Sequence, residues 1–438
     1  MRASSRRISV VLSCMFLLPG WAAAGDDLAQ VARSLVAKSE MDAAALAAVA
    51  TLRSAGPAGM EAVSALAEAE PALAKSPAFQ TALDAVCAQK DCAASRLFWY
   101  TDLEAAKAAA AKSGKPILSL RLLGRLDEEL SCANSRFFRT VLYADESISG
   151  RMRADWVLHW QSVRPVPKVT VDFGDGRRLE GTITGNSLHY LLDSRGRVLD
   201  AIPGLYAPEI FREALSSGES LARDLRHASD QDFSAALAEH HFNRYLSLER
   251  KIAQLLARER RDSRVVADET LSVADATLSA FVQRAGTRRP SARQASAATA
   301  SKNVAESALL RAVAPEPDAP TVPEDQIVAL AARHYYKEHA ALGKSSRRLL
   351  IEKFGAWVGA GNVESSIGRF EELIAEDTAR NELLLHAAIH ARLSEANGMP
   401  DLDELTGWVY ESLFLTPPSD PWMGLAPREV YSVLTPVP

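Results

Sequence analysis

Cysteine is scarce in this chain, with four residues in 438. No two of them form a C-x-x-C pair, which excludes the ordinary dithiol cycle in which one thiol resolves the mixed disulfide of the other. No stretch beyond the N-terminus reaches the roughly 18 consecutive apolar residues of a membrane-spanning helix, so no membrane span is expected. Excess positive charge is also missing: 50 Lys and Arg stand against 55 Asp and Glu, a formal charge of −5. That balance argues against general nucleic-acid binding. There is no glycine-rich nucleotide loop, no H-E-x-x-H zinc helix and no internal repeat, so the sequence assigns no cofactor and no metal.

What is present is an ordinary globular composition, 47% hydrophobic and 24% charged, with room for about three domains at roughly 150 residues each. Arg2, Arg6 and Arg7 precede the apolar run Ile8 to Leu18 and then Trp21-Ala22-Ala23-Ala24-Gly25. These are the three parts of a secretory signal peptide, residues 1–24, with cleavage near Ala24. The Arg6-Arg7 pair also suits a twin-arginine signal and Val11-Leu12-Ser13-Cys14 a lipoprotein box, although Cys14 follows a short apolar run. The expected product is exported, periplasmic or extracellular. Its formal charge moves from −5 to −8 with the loss of those three arginines. In an oxidising compartment Cys87 and Cys92, five residues apart, favour a local disulfide over free thiols or a metal pair. Cys132 is then the odd thiol.

Residues 25–94 are alanine-rich and broken at Gly56-Pro57, Pro71 and Ser76-Pro77, which predicts several short helices. Leu28, Val31 and Leu35, and again Leu46, Val49 and Leu52, supply apolar faces. The texture changes over 95–226. Asp102 caps a helix through Glu104 to Lys112, Gly114 ends it, and Lys115-Pro116 leads into a strand from Ile117 to Leu123. Helices are expected over Ser135 to Leu142 and Glu146 to Arg153, and a buried strand over Trp156 to Trp160. Two hairpins follow: Val169 to Phe173 with Leu179 to Thr184, and Leu188 to Asp193 with Val198 to Ile202. Pro208-Glu209 opens a closing helix. Residues 227–314 read as long helices, Phe233 to Glu259 and Val265 to Phe281, with a mobile loop near 284–301. A proline-rich linker, 315–323, precedes a helical region, 324–438, that ends in a Pro- and Trp-rich tail.

Cys132 opens a predicted helix after the Ile117 strand, where unpaired N–H groups and the helix dipole favour a thiolate. Residues 97 to 218 resemble the thioredoxin-like superfamily, in particular exported thioredoxin-domain proteins. The resemblance rests on Ser113-Gly114-Lys115-Pro116-Ile117-Leu118, on Cys132, and on Tyr190-Leu191-Leu192-Asp193-Ser194-Arg195-Gly196-Arg197-Val198 followed by Pro203-Gly204. It implies an α/β thioredoxin-like domain, a central mixed sheet with flanking helices, between mostly α-helical N- and C-terminal regions. It also implies Cys132 as nucleophile. Ser135 stands where the resolving cysteine would be, which makes a C-x-x-S variant with Ser135 as hydrogen-bond donor to the thiolate. Gly124 to Leu130 lengthen the connection ahead of Cys132. Gly185-Asn186-Ser187 occupies the place of the family's cis-proline.

His159 and His189 fall in or beside strands, as proton acceptors for Cys132 or, more commonly, as core histidines. Glu382, His386 and His390 recur at i, i+4 and i+8 on one predicted helix, a face able to bind metal. The flanking Leu383-Leu384-Leu385 and Ala387-Ala388-Ile389 favour packing instead. His240-His241 point apart on their helix. Asp172-Phe173-Gly174 and Asp175 are turn chemistry. The arginines near Arg250 and Arg258 alternate with acids as on a solvated face. Pro417 to Leu425 and Tyr431 suit docking on the chain itself or on a partner.

Two functions follow. One is single-cysteine thiol or mixed-disulfide chemistry or redox sensing at Cys132, with an external thiol as partner for release. The other is a non-catalytic interaction scaffold of the cell envelope, built on a degenerate thioredoxin-like fold and serving a protein partner.

Overall fold

The computed structural model describes residues 19–38, 40–259, 266–285, 299–302, 323–358, 362–396, 398–421 and 423. The basic and apolar start of the expected signal peptide, the linker 315–322 and the tail beyond 423 lie outside the described residues. The chain divides into two compact units, Met1–Val86 and Cys87–Pro438.

The smaller unit is helical. Helices α1 (Pro19–Val36), α2 (Ala43–Ser54) and α3 (Pro57–Ala69) are followed by a short 3-10 turn and α4 (Pro77–Cys87). Asp42 starts α2 by accepting a hydrogen bond from the Ala45 amide at 2.7 Å, and Pro57 occupies the first turn of α3, where a missing N–H costs nothing. The buried stripe of α2 is Ala45, Val49 and Leu52. Leu46, expected on that face, is 57% exposed, because it lies one residue, about 100°, around the helix from Ala45. Gly59 lets α3 approach α2 so closely that a Cβ would overlap the Leu52 carbonyl.

The larger unit is mixed α/β. Cys87 and Cys92 are joined by a disulfide, and the loop between them is tied to the sheet. Ala88 accepts from Trp160 Nε1 at 2.8 Å, Gln89 Oε1 from Trp99 Nε1 at 2.7 Å, and Lys90 N donates to Leu126 O at 3.0 Å. Residues 87–94 therefore belong to this unit, whereas the sequence grouped them with the helices before them.

Five strands form the sheet: β1 (Trp99–Tyr100), β2 (Ile117–Leu123), β3 (Val157–Arg164), and, beyond an intervening hairpin, β6 (Ser187–Leu192) and β7 (Val198–Pro203). Their order is β1-β3-β2-β6-β7. The pairs β1·β3 and β2·β3 are parallel, and β2·β6 and β6·β7 antiparallel. All seven residues of β2 are buried, as expected of a central strand covered on both faces. Helix α6 (Leu103–Ser113) connects β1 to β2, capped by Asp102 and ended by Gly114 at φ +72° as the sequence predicts. The one-turn helix α5 (Cys92–Ser95) precedes β1, and between β2 and β3 lie α7 (Ala133–Phe137), running into a π turn at Phe138–Leu142, and α8 (Glu146–Asp155). The hairpin of β4 (Lys168–Asp172) and β5 (Arg178–Thr182) stands apart as its own two-stranded sheet. Its turn is held by Asp172 and Asp175 side chains accepting from the Gly174 and Arg177 amides, which is the turn role expected of them.

Helix α9 (Pro208–Asp224) closes this α/β layer, and α10 (Asp230–Glu259) and α11 (Val266–Ala285) follow. The later helices are α12 (Pro323–Ala331), α13 (Lys344–Val358), α14 (Val363–Arg380), α15 (Ala387–Ser394) and α16 (Leu402–Trp408). Residues 286–298 of the expected mobile loop are outside the described residues, but its end is anchored. Thr299, Ser301 and Lys302 are buried, and Asp377 accepts from the Ser301 amide at 3.1 Å. The helices dock on the loop after β7: Thr378 Oγ1 accepts from Ala207 N, and Asn381 Nδ2 donates to Leu205 O, each at 2.7 Å. Gly204, at φ +75°, leaves room for Asn381, whose amide nitrogen would sit 2.5 Å from a Cβ there. No helix among the described residues is long and apolar enough to cross a membrane.

The short Cys87–Cys92 loop restricts the unfolded chain modestly. Chain-entropy reasoning gives about 2 kcal/mol for a loop of this length. Chemical unfolding of the Cys87→Ser, Cys92→Ser double variant is expected to show that loss. An unchanged stability would mean that the sheet contacts of residues 88–90 alone hold the loop.

Candidate functional site

Two buried clusters carry chemistry-bearing side chains. The first surrounds Cys132, which forms the N-cap of α7 and has no solvent exposure. Its amide donates to Leu123 O at 3.3 Å, so the end of β2 sets its position. The Sγ atom lies 3.2 Å from Ser187 Oγ and 3.4 Å from Ser135 Oγ. Ser135 donates its own proton to the Cys132 carbonyl at 2.8 Å. It therefore accepts from the thiol, where the resemblance implied a donor to the thiolate. A single hydroxyl proton cannot serve both the carbonyl and the sulfur, and the carbonyl is the better acceptor.

The face over the sulfur is closed by the chain itself. Gly185, at φ +126°, brings its backbone so near that a Cβ would lie 3.1 Å from that of Cys132. Asn134 Nδ2 donates to Asn186 Oδ1, and Tyr410 donates its hydroxyl to Asn186 O at 3.0 Å. Tyr410 sits in the π turn Val409–Leu413 that continues α16. Burial, and then the neighbouring Cys132, push the Tyr143 and Tyr410 hydroxyls well above the ordinary phenol range.

Neither strand histidine serves the thiol. His159 Nδ1 lies 2.8 Å from Ser119 Oγ, with the buried Arg121 guanidinium bonded to the same hydroxyl at 2.7 Å. His189 Nε2 lies 2.7 Å from Tyr143 OH. Burial holds both rings neutral, with pKa values pulled down to about 3.

The second cluster joins residues far apart in sequence. Asp200 comes from β7, His241 from α10, Glu382 and His386 from the π turn Asn381–His386, and His390 from α15. His386 Nε2 lies 2.9 Å from Asp200 Oδ1, and its Nδ1 lies 3.4 Å from Glu382 Oε2. His390 Nδ1 is 2.8 Å from His241 Nδ1 and 4.0 Å from Asp200 Oδ1. His241 Nε2 faces Leu199 O at 3.0 Å. The His386 and His390 rings stack with centroids 4.0 Å apart. His390 Nε2 is buried without a hydrogen-bond partner among the described residues.

Burial alone would lower the His386 pKa, but Asp200 and Glu382 outweigh it and raise the ring to about 9. Burial and the neighbouring His386 push His390 well down. Asp200 would be raised by burial, yet the histidines hold it well below the usual carboxylate range. Arg244 approaches the other oxygen of Glu382 at 3.6 Å.

The sequence placed Glu382, His386 and His390 together but on a regular helix read as packing. The structure changes their phase with a π turn and adds two residues that the sequence did not connect to them. Both leave a local trace. Phe233, Leu237 and His241 recur every four residues on the buried face of α10, and Asp200 is the lone acid in the apolar run Val198 to Ile202. His240, next to His241, is half-buried and outside the cluster.

Neutral buried histidines make stability acid-sensitive. In the unfolded chain they protonate near 6.5, whereas the folded rings resist until about 3. Stability is therefore complete above about pH 6.5 and falls below it, by about 1.4 kcal/mol per pH unit for each ring, until the folded rings also titrate. Unfolding measured against pH in this window is expected to show a shallower slope for His159→Gln and for His189→Gln. Slopes equal to wild type would remove the assignment. No protein-family model matches this chain, and comparison with curated proteins and with solved structures finds no match.

Proposed function

We propose that the protein is an exported, non-catalytic scaffold whose α/β layer is a degenerate thioredoxin-like domain. The observation that carries this reading is the closure over Cys132. A nucleophilic thiol needs a partly exposed, electropositive setting. Here the sulfur has none of its surface open, and the segment Gly185-Asn186 together with Tyr410 fills the space a substrate disulfide would need.

The thioredoxin-like reading draws on connectivity. The resemblance implies a central mixed sheet with flanking helices, and the reading is supported by a five-stranded sheet with three parallel strands followed by an antiparallel hairpin and by Cys132 opening the helix after β2. Export is supported by the basic and apolar N-terminal sequence and by the Cys87–Cys92 disulfide, which persists in an oxidising compartment. Single-thiol chemistry is the second reading, favoured by the N-cap position of Cys132. It requires Tyr410 and Asn186 to move away from the sulfur. In the scaffold the polar and apolar surfaces outside the sheet carry the binding to a protein partner, and the thiol fills space.

Thiol titration of the folded chain separates the two. We expect Cys132 to react with a small aromatic disulfide only after denaturation, and Cys132→Ala to lose about 1 kcal/mol of stability. Rapid labelling of the native chain at Cys132, trapped as a mixed disulfide, would establish the single-thiol reading and remove this one.

A further inference from the structure

We propose that Asp200, His386 and His390 form an interior site for one divalent transition-metal ion of the Zn2+ class. Two imidazole nitrogens and one carboxylate oxygen are donors such an ion takes in tetrahedral sites. With metal–ligand bonds of about 2.1 Å the donors of a tetrahedron lie about 3.4 Å from one another. The separations found here bracket that value: 2.9 Å from His386 Nε2 to Asp200 Oδ1 and 4.0 Å from His390 Nδ1 to Asp200 Oδ1. One donor atom from each of Asp200, His386 and His390 falls within 4.8 Å of the others.

The outer contacts fit as well. A metal-bound histidine usually gives its second ring N–H to a carboxylate or a backbone carbonyl, which fixes the tautomer and the ring plane. His386 has Glu382 in that place, while His390 Nε2 has no partner among the described residues. His390 has no exposure and His386 has 2%, and a bound cation would take over from the His386 ring the pairing of Asp200.

Three protein ligands leave the fourth tetrahedral position to a water molecule. The ligands come from β7, the π turn and α15, so the ion would staple the helical part of the larger unit to the edge of the sheet.

The test uses the full chain stripped of metal with a chelator and titrated with Zn2+ alone, then with Co2+ alone. One equivalent of Zn2+ should bind, raise the thermal midpoint, and give with Co2+ the visible absorption of a tetrahedral site. Asp200→Asn and His390→Ala should each weaken Zn2+ at least about 100-fold, and Glu382→Gln about 10- to 100-fold. His240→Ala, which changes a neighbouring histidine outside the set, should leave affinity unchanged. Absence of stoichiometric Zn2+ binding by the folded wild-type chain overturns the proposal, as does binding that His240→Ala weakens while His390→Ala does not. The wild-type Co2+ spectrum decides the matter even where a ligand variant fails to fold: an octahedral spectrum, or none, contradicts the site.

Discussion

A carboxylate in the middle of an apolar strand cannot be buried alone. Asp200 is that group, and the arrangement of the larger unit follows from satisfying it. Its strand, β7, is at the edge of the sheet, so neighbouring strands cannot cover it completely. The partners must come from elsewhere in the chain, and they do: His386 and His390 lie nearly 200 residues further on, in the π turn and α15. Burying the pair while leaving one member unpaired would cost several kcal/mol. The same logic operates on the other face of the sheet. Tyr190 on β6 meets Thr406 on α16 at 3.0 Å, and Tyr410 meets the Asn186 carbonyl.

This docking determines what Cys132 can do. The helix that it caps is short, and the space above it is occupied by the loop before β6 and by Tyr410. Cys132 is thereby held as a packing residue, with no exposure. The glycine at 185 is central, since its positive φ and missing Cβ let the loop descend onto the sulfur.

Much of the α/β layer was legible because its signals are local. Asp102 and Gly114 delimit α6, Ile117 to Leu123 is one uninterrupted buried strand, and the turn residues of both hairpins mark β4 to β7. The clusters were less legible because they are assembled at long range. Periodicity puts His241 on the buried face of α10 and alternation flags Asp200, but neither tells that they meet. The π turn at Asn381–His386 shifts side chains by an angle that a 3.6-residue period does not anticipate. The proton arrangement at Ser135 was also out of reach, since it depends on a competition between the Cys132 carbonyl and sulfur that only coordinates settle.

If the helical region and the sheet of the larger unit close over the thiol as one cooperative structure, native-state hydrogen exchange followed by mass spectrometry will register it. Amides of Cys132 to Phe137, of Ser187 to Leu192 and of the segment Asn381 to Ser394 are then expected to exchange together, through the global unfolding reaction. Fast exchange of Cys132 to Phe137, by an opening that leaves the sheet protected, would contradict it.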